Sequence, residues 1–352
     1  MQYLKIFSLF LIITLIITGC QRKIIRLEIN QIKDGKYDSE FPMVPVSEYL
    51  EEITESVKLI SILVFYEGYD FKREKEVTTD DLTSDYIEQT ATKRYTFDRP
   101  STGSASIIFH KNNRVALMTC AHVVDFPDTV ITYFRDSFGI ETKYIKSIAF
   151  KVRQTNNIID FPQLLNFEIL IMDSKLDVAI IGKELEYKPS ITSIVKPSVP
   201  VLKYPLGSAE DLNWGSFVYL IGYPRAKKMI STAIVSSPNY DKENSFLIDA
   251  SLQRGMSGGL VLAIRDGIPN FEIVGMTNAV SAETQYFLQP EKDFEISEWD
   301  IHQPYSGSIY ANVHKTIYYG ITYAISIDKI KKFMRNNKNV LIAKGYDIES
   351  FF

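Results

Sequence analysis

Three polar residues in distinctive contexts could together perform nucleophilic chemistry on a carbonyl group. Ser257 lies in residues 255–259 (Gly-Met-Ser-Gly-Gly), where glycines permit a tight turn that exposes a hydroxyl beside backbone N–H groups. His122 follows an apolar strand-like stretch, and Asp177 precedes another. A hydroxyl, an imidazole and a carboxylate can form a nucleophile, a general base and an orienting acid. The Ser257 motif by itself is equally typical of a glycine-rich hairpin turn.

Taken together, the three motifs resemble those of chymotrypsin-like serine peptidases, especially the bacterial HtrA (Deg) type. Residues 119–124 (Thr-Cys-Ala-His-Val-Val) resemble that family's Thr-x-x-His-Val-Val, and residues 177–179 (Asp-Val-Ala) resemble its Asp-[Leu/Ile/Val]-Ala. Residues 255–259 resemble its Gly-Asn-Ser-Gly-Gly, although Met256 and Leu260 depart from the usual Asn and Pro. The chain order His, Asp, Ser is the order of the chymotrypsin-type triad. The resemblance covers roughly residues 56–337.

This resemblance implies a role for each site residue. His122 is the expected general base, Asp177 the acid that orients it, and Ser257 the nucleophile. The backbone N–H groups of Gly255 and Ser257 are expected to form the oxyanion hole. We therefore predict a serine endopeptidase that hydrolyses peptide bonds through an acyl-enzyme, with no cofactor and no metal.

Two other carboxylates could fill the role of the acid that orients the histidine. Asp160 and Asp173 are the rivals, but neither opens an apolar strand with the family's pattern.

By resemblance alone, Ser251 lies near the base of the primary pocket. The expected wall of the pocket is formed by Thr277, Asn278 and Ala279. Because no carboxylate is among these four residues, we expect cleavage after small or aliphatic residues rather than after Lys or Arg.

Repeated short strand patterns with turn signals, and no amphipathic helices between them, predict an all-β fold. The resemblance implies two antiparallel six-stranded β-barrels, as in chymotrypsin, with a C-terminal helix over residues 327–336. Residues 67–101 are charged and threonine-rich, and residues 283–316 are polar and tyrosine-bearing. We expect both segments to be surface insertions in a peptidase domain that spans residues 56–337.

The flanking regions are assigned to export and tethering. Residues 1–19 combine Lys5 with an apolar run of signal-peptide length. Residues 17–20 (Ile-Thr-Gly-Cys) resemble the bacterial lipobox, so Cys20 is expected to carry lipid and to anchor the protein to a bacterial membrane. An ordinary signal peptide is the alternative. We expect residues 20–55 to form a tether with a short helix and residues 338–352 to form a tail, with no PDZ domain.

The net charge and the two cysteines limit the kinds of partner that we expect for this protein. The net charge is −4, with both signs interspersed, which is not the footprint of a nucleic-acid-binding protein. The only cysteines are Cys20 and Cys120, so a lipidated Cys20 leaves Cys120 without a disulfide partner; we expect Cys120 to be a small buried residue. A protein or peptide substrate is the expected partner. The alternatives are a catalytically inactive surface lipoprotein that uses the fold as a binding module, and an adhesive lipoprotein that binds through the 283–316 insertion.

Overall fold

The computed structural model of the chain describes most of the predicted peptidase domain. It describes residues 33–136, 138–159, 161, 166–185, 199–241, 245–251, 253–290, 302, 304–305 and 307–351. The predicted signal peptide, Cys20 and Asp160 lie outside these residues. Within the described part, no helix is both long enough and apolar enough to cross a membrane.

The first half of the described chain forms an antiparallel sheet of seven strands. After helix α1 (Ser47–Ser56), the strands are β1 (Val57–Asp70), β2 (Lys93–Lys111), β3 (Arg114–Thr119), β4 (Thr129–Arg135), β5 (Glu141–Ile158), β6 (Glu168–Asp173) and β7 (Val178–Glu184). Short helices α2 (Ser84–Thr90) and α3 (Ala121–Val124) lie between strands. The strand order is β4-β5-β1-β2-β3-β7-β6.

The second half forms a closed barrel of six strands. These are β8 (Phe217–Gly222), β9 (Met229–Ser237), β10 (Phe246–Ile248), β11 (Leu260–Ile264), β12 (Phe271–Pro290) and β13 (Ile309–Ser326). Their order around the barrel is β10-β13-β12-β11-β8-β9. Helices α4 (Ile327–Asn336) and α5 (Lys338–Ala343) follow. The predicted all-β double-barrel class and the bounds of the predicted C-terminal helix are confirmed.

The first sheet differs from the predicted six-stranded barrel in one respect. Six of its strands curl round until the chain just before β6 meets β5 through an isolated bridge, Asn157 to Asn166. The seventh strand, β4, pairs with the first half of the long β5 and lies outside this ring. The first sheet is therefore a half-barrel rather than a closed barrel. The long strand β5 pairs with β4 over its first half and meets the chain before β6 only near its end.

Strands that are buried along their whole length explain why several segments are continuously apolar. All five residues of β11 and all six of β8 are buried. One hydrophobic core includes Ile107 and Leu117 from the first sheet together with Leu260 and Ile273 from the barrel. Burying a large aliphatic side chain stabilises the folded state by about 1.5–3 kcal/mol, so this shared core fixes the sheet against the barrel.

The segment 67–101, predicted to be a surface loop, is largely strand. β1 continues to Asp70 and β2 begins at Lys93, and these two residues pair directly. An ion pair between Arg94 and Glu67 crosses the two strands at 2.5 Å. In β2, the charged residues from Lys93 to Arg99 are exposed, and their abundance hid the strand pattern. Only residues 71–92 lie outside the two strands, and they include α2, which buries Ile87.

The segment 283–316 is also not a plain loop, since most of its described residues extend β12 and β13. The two strands stay paired from Glu283 with Thr316 to Pro290 with Ile309. Residues 291–301 lie outside the described part of the chain. We call residues 279–290 and 309–321 the hairpin arm, because here β12 pairs with β13 and with no other described strand.

The predicted C-terminal tail is part of the core. Leu341, Tyr346, Ile348 and Phe351 are all buried in the same cluster as the first sheet. The ring of Tyr346 packs edge-on against Phe109 of β2, with 5.9 Å between ring centroids. Apolar residues spaced along a short helix and turn therefore cover the first sheet, which the sequence alone did not indicate.

Candidate active site

His122 and Asp177 come together because they lie at the same end of two neighbouring strands. β3 ends at Thr119, which pairs with Ala179 near the start of β7. His122 lies in α3, directly after β3, and Asp177 directly precedes β7. Antiparallel pairing therefore puts the end of one strand next to the beginning of the other.

Asp177 receives two hydrogen bonds from the same histidine. Its Oδ2 lies 2.7 Å from His122 Nδ1, and its Oδ1 accepts from the His122 backbone N–H at 2.7 Å. The Asp177 side chain is 14% exposed, whereas the His122 side chain is 49% exposed. Asp177 also has a positive φ of 61°, a conformation that costs free energy for a residue with a side chain. The carboxylate thus fixes Nδ1 as the protonated nitrogen and leaves Nε2 to act as a base.

The rival carboxylate Asp173 accepts hydrogen bonds within its own turn. Its Oδ1 accepts from the backbone N–H groups of Lys175 and Leu176, both at 2.9 Å. These bonds shape the turn that leads to Asp177. Asp160, the other rival, lies outside the described residues. Of the carboxylates that the structure describes, Asp177 is the one bonded to His122.

Ser257 lies in the connection between β10 and β11, on a turn that requires glycine at two positions. Gly255 has φ +96° and Gly258 has φ +86°. A Cβ at Gly255 would lie 2.3 Å from the Tyr223 carbonyl oxygen, and one at Gly258 would lie 2.1 Å from the Ser104 carbonyl oxygen. Both the backbone conformation and the close contacts exclude a side chain, as the sequence motif predicts.

The Ser257 hydroxyl donates to a backbone acceptor on the far side of the turn. Its Oγ lies 2.9 Å from the carbonyl oxygen of Asn278 in β12. Among the described residues, no hydrogen bond joins Ser257 to His122. Proton transfer to the imidazole therefore requires the hydroxyl to leave Asn278 and turn toward His122.

Two backbone N–H groups of the turn at residues 255–259 have no acceptor among the described residues. The N–H groups of Met256, Gly258 and Gly259 donate to carbonyl oxygens at 3.1, 2.8 and 2.9 Å. Within the described part of the chain, the N–H groups of Gly255 and Ser257 have no acceptor. These are the two groups predicted to form the oxyanion hole.

Met256, which departs from the family's asparagine, is accommodated by burial. Its side chain is 2% exposed and packs against Gly222, where a Cβ would lie 2.7 Å from the Met256 sulfur. Its carbonyl oxygen accepts from Thr277 Oγ1 at 2.6 Å. The Thr277 side chain is fully buried and supports the turn that carries Ser257. This position differs from its predicted place on the pocket wall.

Sequence reasoning missed Ser104, a residue of β2 that holds the nucleophile turn from the first sheet. Its Oγ donates to the Gly255 carbonyl oxygen at 2.8 Å and accepts from the Tyr223 N–H at 2.9 Å. Its N–H donates to the Ser257 carbonyl oxygen at 2.8 Å. Ser104 is fully buried. The only local signal is one of several small polar residues in β2, which does not indicate a partner more than 150 positions away.

A cleft adjoins the site on the side of the predicted substrate pocket. It has a volume of about 610 Å³, and its lining includes Leu176, Asn278, Tyr323, Lys329 and Phe333. Ser251 is exposed and Asn278 is half-buried. Ala279 is described only by its backbone. Of the predicted substrate-binding residues, Asn278 is the one that borders both this cleft and the nucleophile.

Cys120 forms a cluster with His122 and Asp177, and its thiol is buried. Its sulfur, a ring nitrogen of His122 and an oxygen of Asp177 lie within 4.8 Å of one another. Burial raises the pKa of the Cys120 thiol well above its ordinary value, and the neighbouring Asp177 carboxylate raises it further. A thiol held in its protonated form is a poor nucleophile. Its Sγ instead lies 3.3 Å from the Thr277 carbonyl oxygen.

Comparisons with known proteins find one matching family model and several similar solved structures. The model of the trypsin-like peptidase domain matches residues 103–276, about half of the chain, and this range contains His122, Asp177 and Ser257. Two solved structures that resemble the chain are of Rv3671c from M. tuberculosis. The active protease has a TM-score of 0.40 and 13% identity, covering 85% of this chain and 91% of its own. The inactive form of a serine-to-alanine mutant has a TM-score of 0.40 and 12% identity, covering 85% and 96%. No curated protein sequence matches the chain.

Proposed function

We propose, from the premise that this chain belongs to the trypsin-like peptidases, that it is a serine endopeptidase acting through an acyl-enzyme. The observation that carries the proposal is the double hydrogen bond from His122 to Asp177 beside the glycine-framed turn of Ser257. A structural role alone does not require a half-exposed imidazole whose tautomer is fixed by a largely buried carboxylate.

In the first half of the reaction, Ser257 Oγ attacks the carbonyl carbon of the scissile peptide bond. His122 Nε2 accepts the hydroxyl proton, and Asp177 stabilises the imidazolium that results. The negative charge on the former carbonyl oxygen is bound by the N–H groups of Gly255 and Ser257. Loss of one such donor costs about 3 kcal/mol of transition-state stabilisation. His122 then protonates the leaving amine, and the acyl group stays on Ser257.

In the second half, water takes the place of the leaving amine. His122 Nε2 removes a proton from the water molecule, whose oxygen attacks the acyl carbon. The oxyanion forms again in the same backbone pocket and collapses to release the carboxylic acid product. Ser257 Oγ recovers its proton from His122, so no group of the protein is consumed.

A fluorophosphonate probe tests this function, because it phosphonylates a serine that is activated by a neighbouring base. Labelling of the wild-type protein and loss of labelling in Ser257→Ala are expected. Ser84→Ala is the matched control, since this exposed serine of α2 lies outside the predicted site and should leave labelling intact. A folded wild-type sample that takes up no probe would instead favour an inactive binding module.

The preferred residue at the cleavage site follows from the uncharged pocket residues. Ser251 and Asn278 carry no charge, which supports cleavage after small or aliphatic residues. Mass spectrometry of a peptide library digested by the wild-type protein tests this preference. Dominant cleavage after Lys or Arg would contradict it.

The membrane anchor remains a separate proposal that rests on the sequence. The lipobox-like residues 17–20 support lipidation of Cys20 and attachment of the exported protein to a bacterial membrane. Mass spectrometry of the mature N-terminus should find acyl chains on Cys20. The Cys20→Ser variant should move from the detergent phase to the aqueous phase in a phase-partitioning experiment, whereas partitioning equal to wild type would refute the anchor.

A further inference from the structure

The turn that carries the nucleophile has two flanks, which are formed by different parts of the barrel. The strand that follows it, β11, lies between β12 and β8, because Leu260 pairs with Met276 on one side and with Ile221 on the other. Past this point, β12 leads to Asn278, and β8 leads to a turn that contains Arg225. Arg225 and Asn278 therefore lie on opposite flanks of the nucleophile turn.

The turn that contains Arg225 rests on the backbone of the nucleophile turn. The Arg225 N–H donates to the Arg254 carbonyl oxygen at 2.8 Å. Arg254 directly precedes Gly255, and a Cβ at Gly255 would lie 3.4 Å from the Arg225 backbone nitrogen. We call Arg225 and Arg254 the arginine pair. The pair is thus attached to the residue whose N–H is one of the two predicted oxyanion donors.

Two consecutive residues of this turn have the left-handed backbone conformation that favours glycine. Arg225 has φ 49° and Ala226 has φ 59°. The Lys227 N–H closes the turn by donating to the Pro224 carbonyl oxygen at 3.1 Å. A glycine would relieve the strain at either position, yet an arginine occupies the first. Backbone strain that is kept at a long charged residue indicates that its side chain has a function there.

Both side chains of the arginine pair are exposed, and neither forms an ion pair with a described carboxylate. Lys227 is exposed as well, whereas Lys228 pairs with Glu55 over 3.4 Å. A guanidinium group binds a carboxylate through two parallel hydrogen bonds, a geometry that a lysine does not offer. The arginine pair is therefore suited to bind the side chain of an aspartate or a glutamate.

The flank on which the pair lies determines which part of a substrate it would meet. In the proposed reaction, the scissile carbonyl oxygen lies at the N–H groups of Gly255 and Ser257. The predicted pocket for the side chain before the bond includes Asn278 and lies on the β12 flank. The chain that follows the scissile bond leaves on the opposite side, which the arginine pair borders.

We propose that the arginine pair binds an aspartate or glutamate side chain of the substrate among the first few residues after the scissile bond. The inference rests on the proposed peptidase function and deepens it, because it names acidic polypeptide segments as the preferred substrates. The contact lies at the surface, so it should weaken as the ionic strength rises. The uncharged pocket residues would then select the side chain before the bond, and the arginine pair those after it.

Binding to the Ser257→Ala variant tests the proposal without requiring turnover. Two fluorescein-labelled peptides would be compared, Ala-Val-Thr-Ala-Ala-Glu-Glu-Ala and the same peptide with Gln in place of both Glu residues. Fluorescence anisotropy at low ionic strength should show that the Glu peptide binds at least about fivefold more tightly, as one or two exposed ion pairs allow. Salt at about 0.5 M should remove most of this difference. Equal affinities at low ionic strength would overturn the proposal.

A third peptide separates a contact after the bond from a general attraction of negative charge. Glu-Glu-Thr-Ala-Ala-Gln-Gln-Ala carries the same charge as the Glu peptide but has both Glu residues before the expected bond. It should bind no more than about twofold more tightly than the Gln peptide. Equal affinities of the two charged peptides would overturn the proposed position.

Substitutions in the Ser257→Ala chain test the two arginines directly. Arg225→Gln and Arg254→Gln should each reduce the preference for the Glu peptide, and the two changes together should leave the Glu and Gln peptides within about twofold of one another. Lys111→Gln is the matched control, because it removes the same charge from an exposed side chain before β3, whereas His122 follows the end of β3. It should keep the full preference. A preference that survives loss of both arginines, or that Lys111→Gln also abolishes, would overturn the proposal.

Fluorophosphonate labelling of the wild-type chain separates this inference from the proposed function. Labelling combined with equal affinities for the Glu and Gln peptides would refute the arginine pair and leave the peptidase intact. Absence of labelling combined with a preference that depends on the pair would refute the peptidase and leave a binding site for acidic peptides.

Discussion

The Asp177 carboxylate holds His122 at two points, the ring nitrogen Nδ1 and the backbone N–H, each over 2.7 Å. The two bonds use different oxygens of one carboxylate, so the position of the ring and the position of the short helix that carries it are coupled. An amide in place of the carboxylate cannot accept on both sides.

Asp177→Asn should therefore lose activity with little change in fold. The amide would present a donor on one side, which favours the wrong tautomer of His122 or breaks one bond. A decrease of about 10⁴-fold in kcat is expected. Asp173→Asn is the matched control, because its amide oxygen can still accept from the turn, and it should retain activity within about threefold. Kinetics on a cleaved peptide measure both. Comparable losses in the two variants would contradict the assignment of the acid.

Ser104→Ala should weaken both stability and the nucleophile turn. The change leaves the Tyr223 N–H and the Gly255 carbonyl oxygen without their buried partner, which costs about 2–3 kcal/mol of unfolding free energy. Ser106→Ala is the control two residues along the same strand. Its Oγ is buried without a hydrogen-bond partner among the described residues, so its removal should change stability by less than about 1 kcal/mol. Chemical denaturation and the rate of fluorophosphonate labelling report the two effects. Equal losses would show that Ser104 has no special role.

Gly258→Ala should destabilise the protein far more than an alanine at a glycine of similar backbone conformation. Gly258 and Gly215 have φ of +86° and +83°, but only Gly258 has a carbonyl oxygen 2.1 Å from the site of a Cβ. The Gly215 change is expected to cost about 1 kcal/mol of unfolding free energy for its positive φ alone. The Gly258 change should cost at least about 3 kcal/mol, because the backbone must also move. Thermal and urea unfolding measure the stability of both variants. Similar losses of unfolding free energy would mean that the turn at Gly258 accommodates a Cβ by a small backbone shift.

Cys120 should be inert in the native protein although it lies two positions from His122. Burial raises the pKa of its thiol, so at pH 8 the thiolate is scarcer than in an unfolded chain, and the sulfur is inaccessible as well. Iodoacetamide should modify the Cys120 peptide only after denaturation, as judged by mass spectrometry. Cys120→Ala should keep fluorophosphonate labelling within about threefold. Rapid native alkylation that abolishes labelling would point to a catalytic thiol instead.

The sequence predicted those features that are marked by the residues directly around them. His122, Asp177 and Ser257 each follow or precede an apolar strand, and the structure puts β3, β7 and β11 at those places. The helix Ile327–Asn336 was predicted from its helical spacing, and the structure adds that the hydroxyl of its N-cap residue, Ser326, accepts from the Lys329 N–H. Burial and capping are local properties, which explains this success.

Features that depend on distant partners escaped prediction. Ser104 contacts Gly255 across the boundary between the first sheet and the barrel, and nothing near either residue indicates the other. The hairpin arm and the ends of β1 and β2 include many polar residues, which obscured the strand alternation. Pairing between strands, rather than the side chains themselves, fixes these elements.

The contact between Phe109 and Tyr346 joins the first sheet to the far end of the described chain. Leu341, Tyr346 and Phe351 cover a sheet whose first strand begins at Val57, so that sheet is among the earliest parts to emerge during synthesis and among the last to be completed. Contacts between such distant positions slow folding, since a long loop must close before they form. A truncation that removes residues 341–351 would leave an apolar face of that sheet exposed.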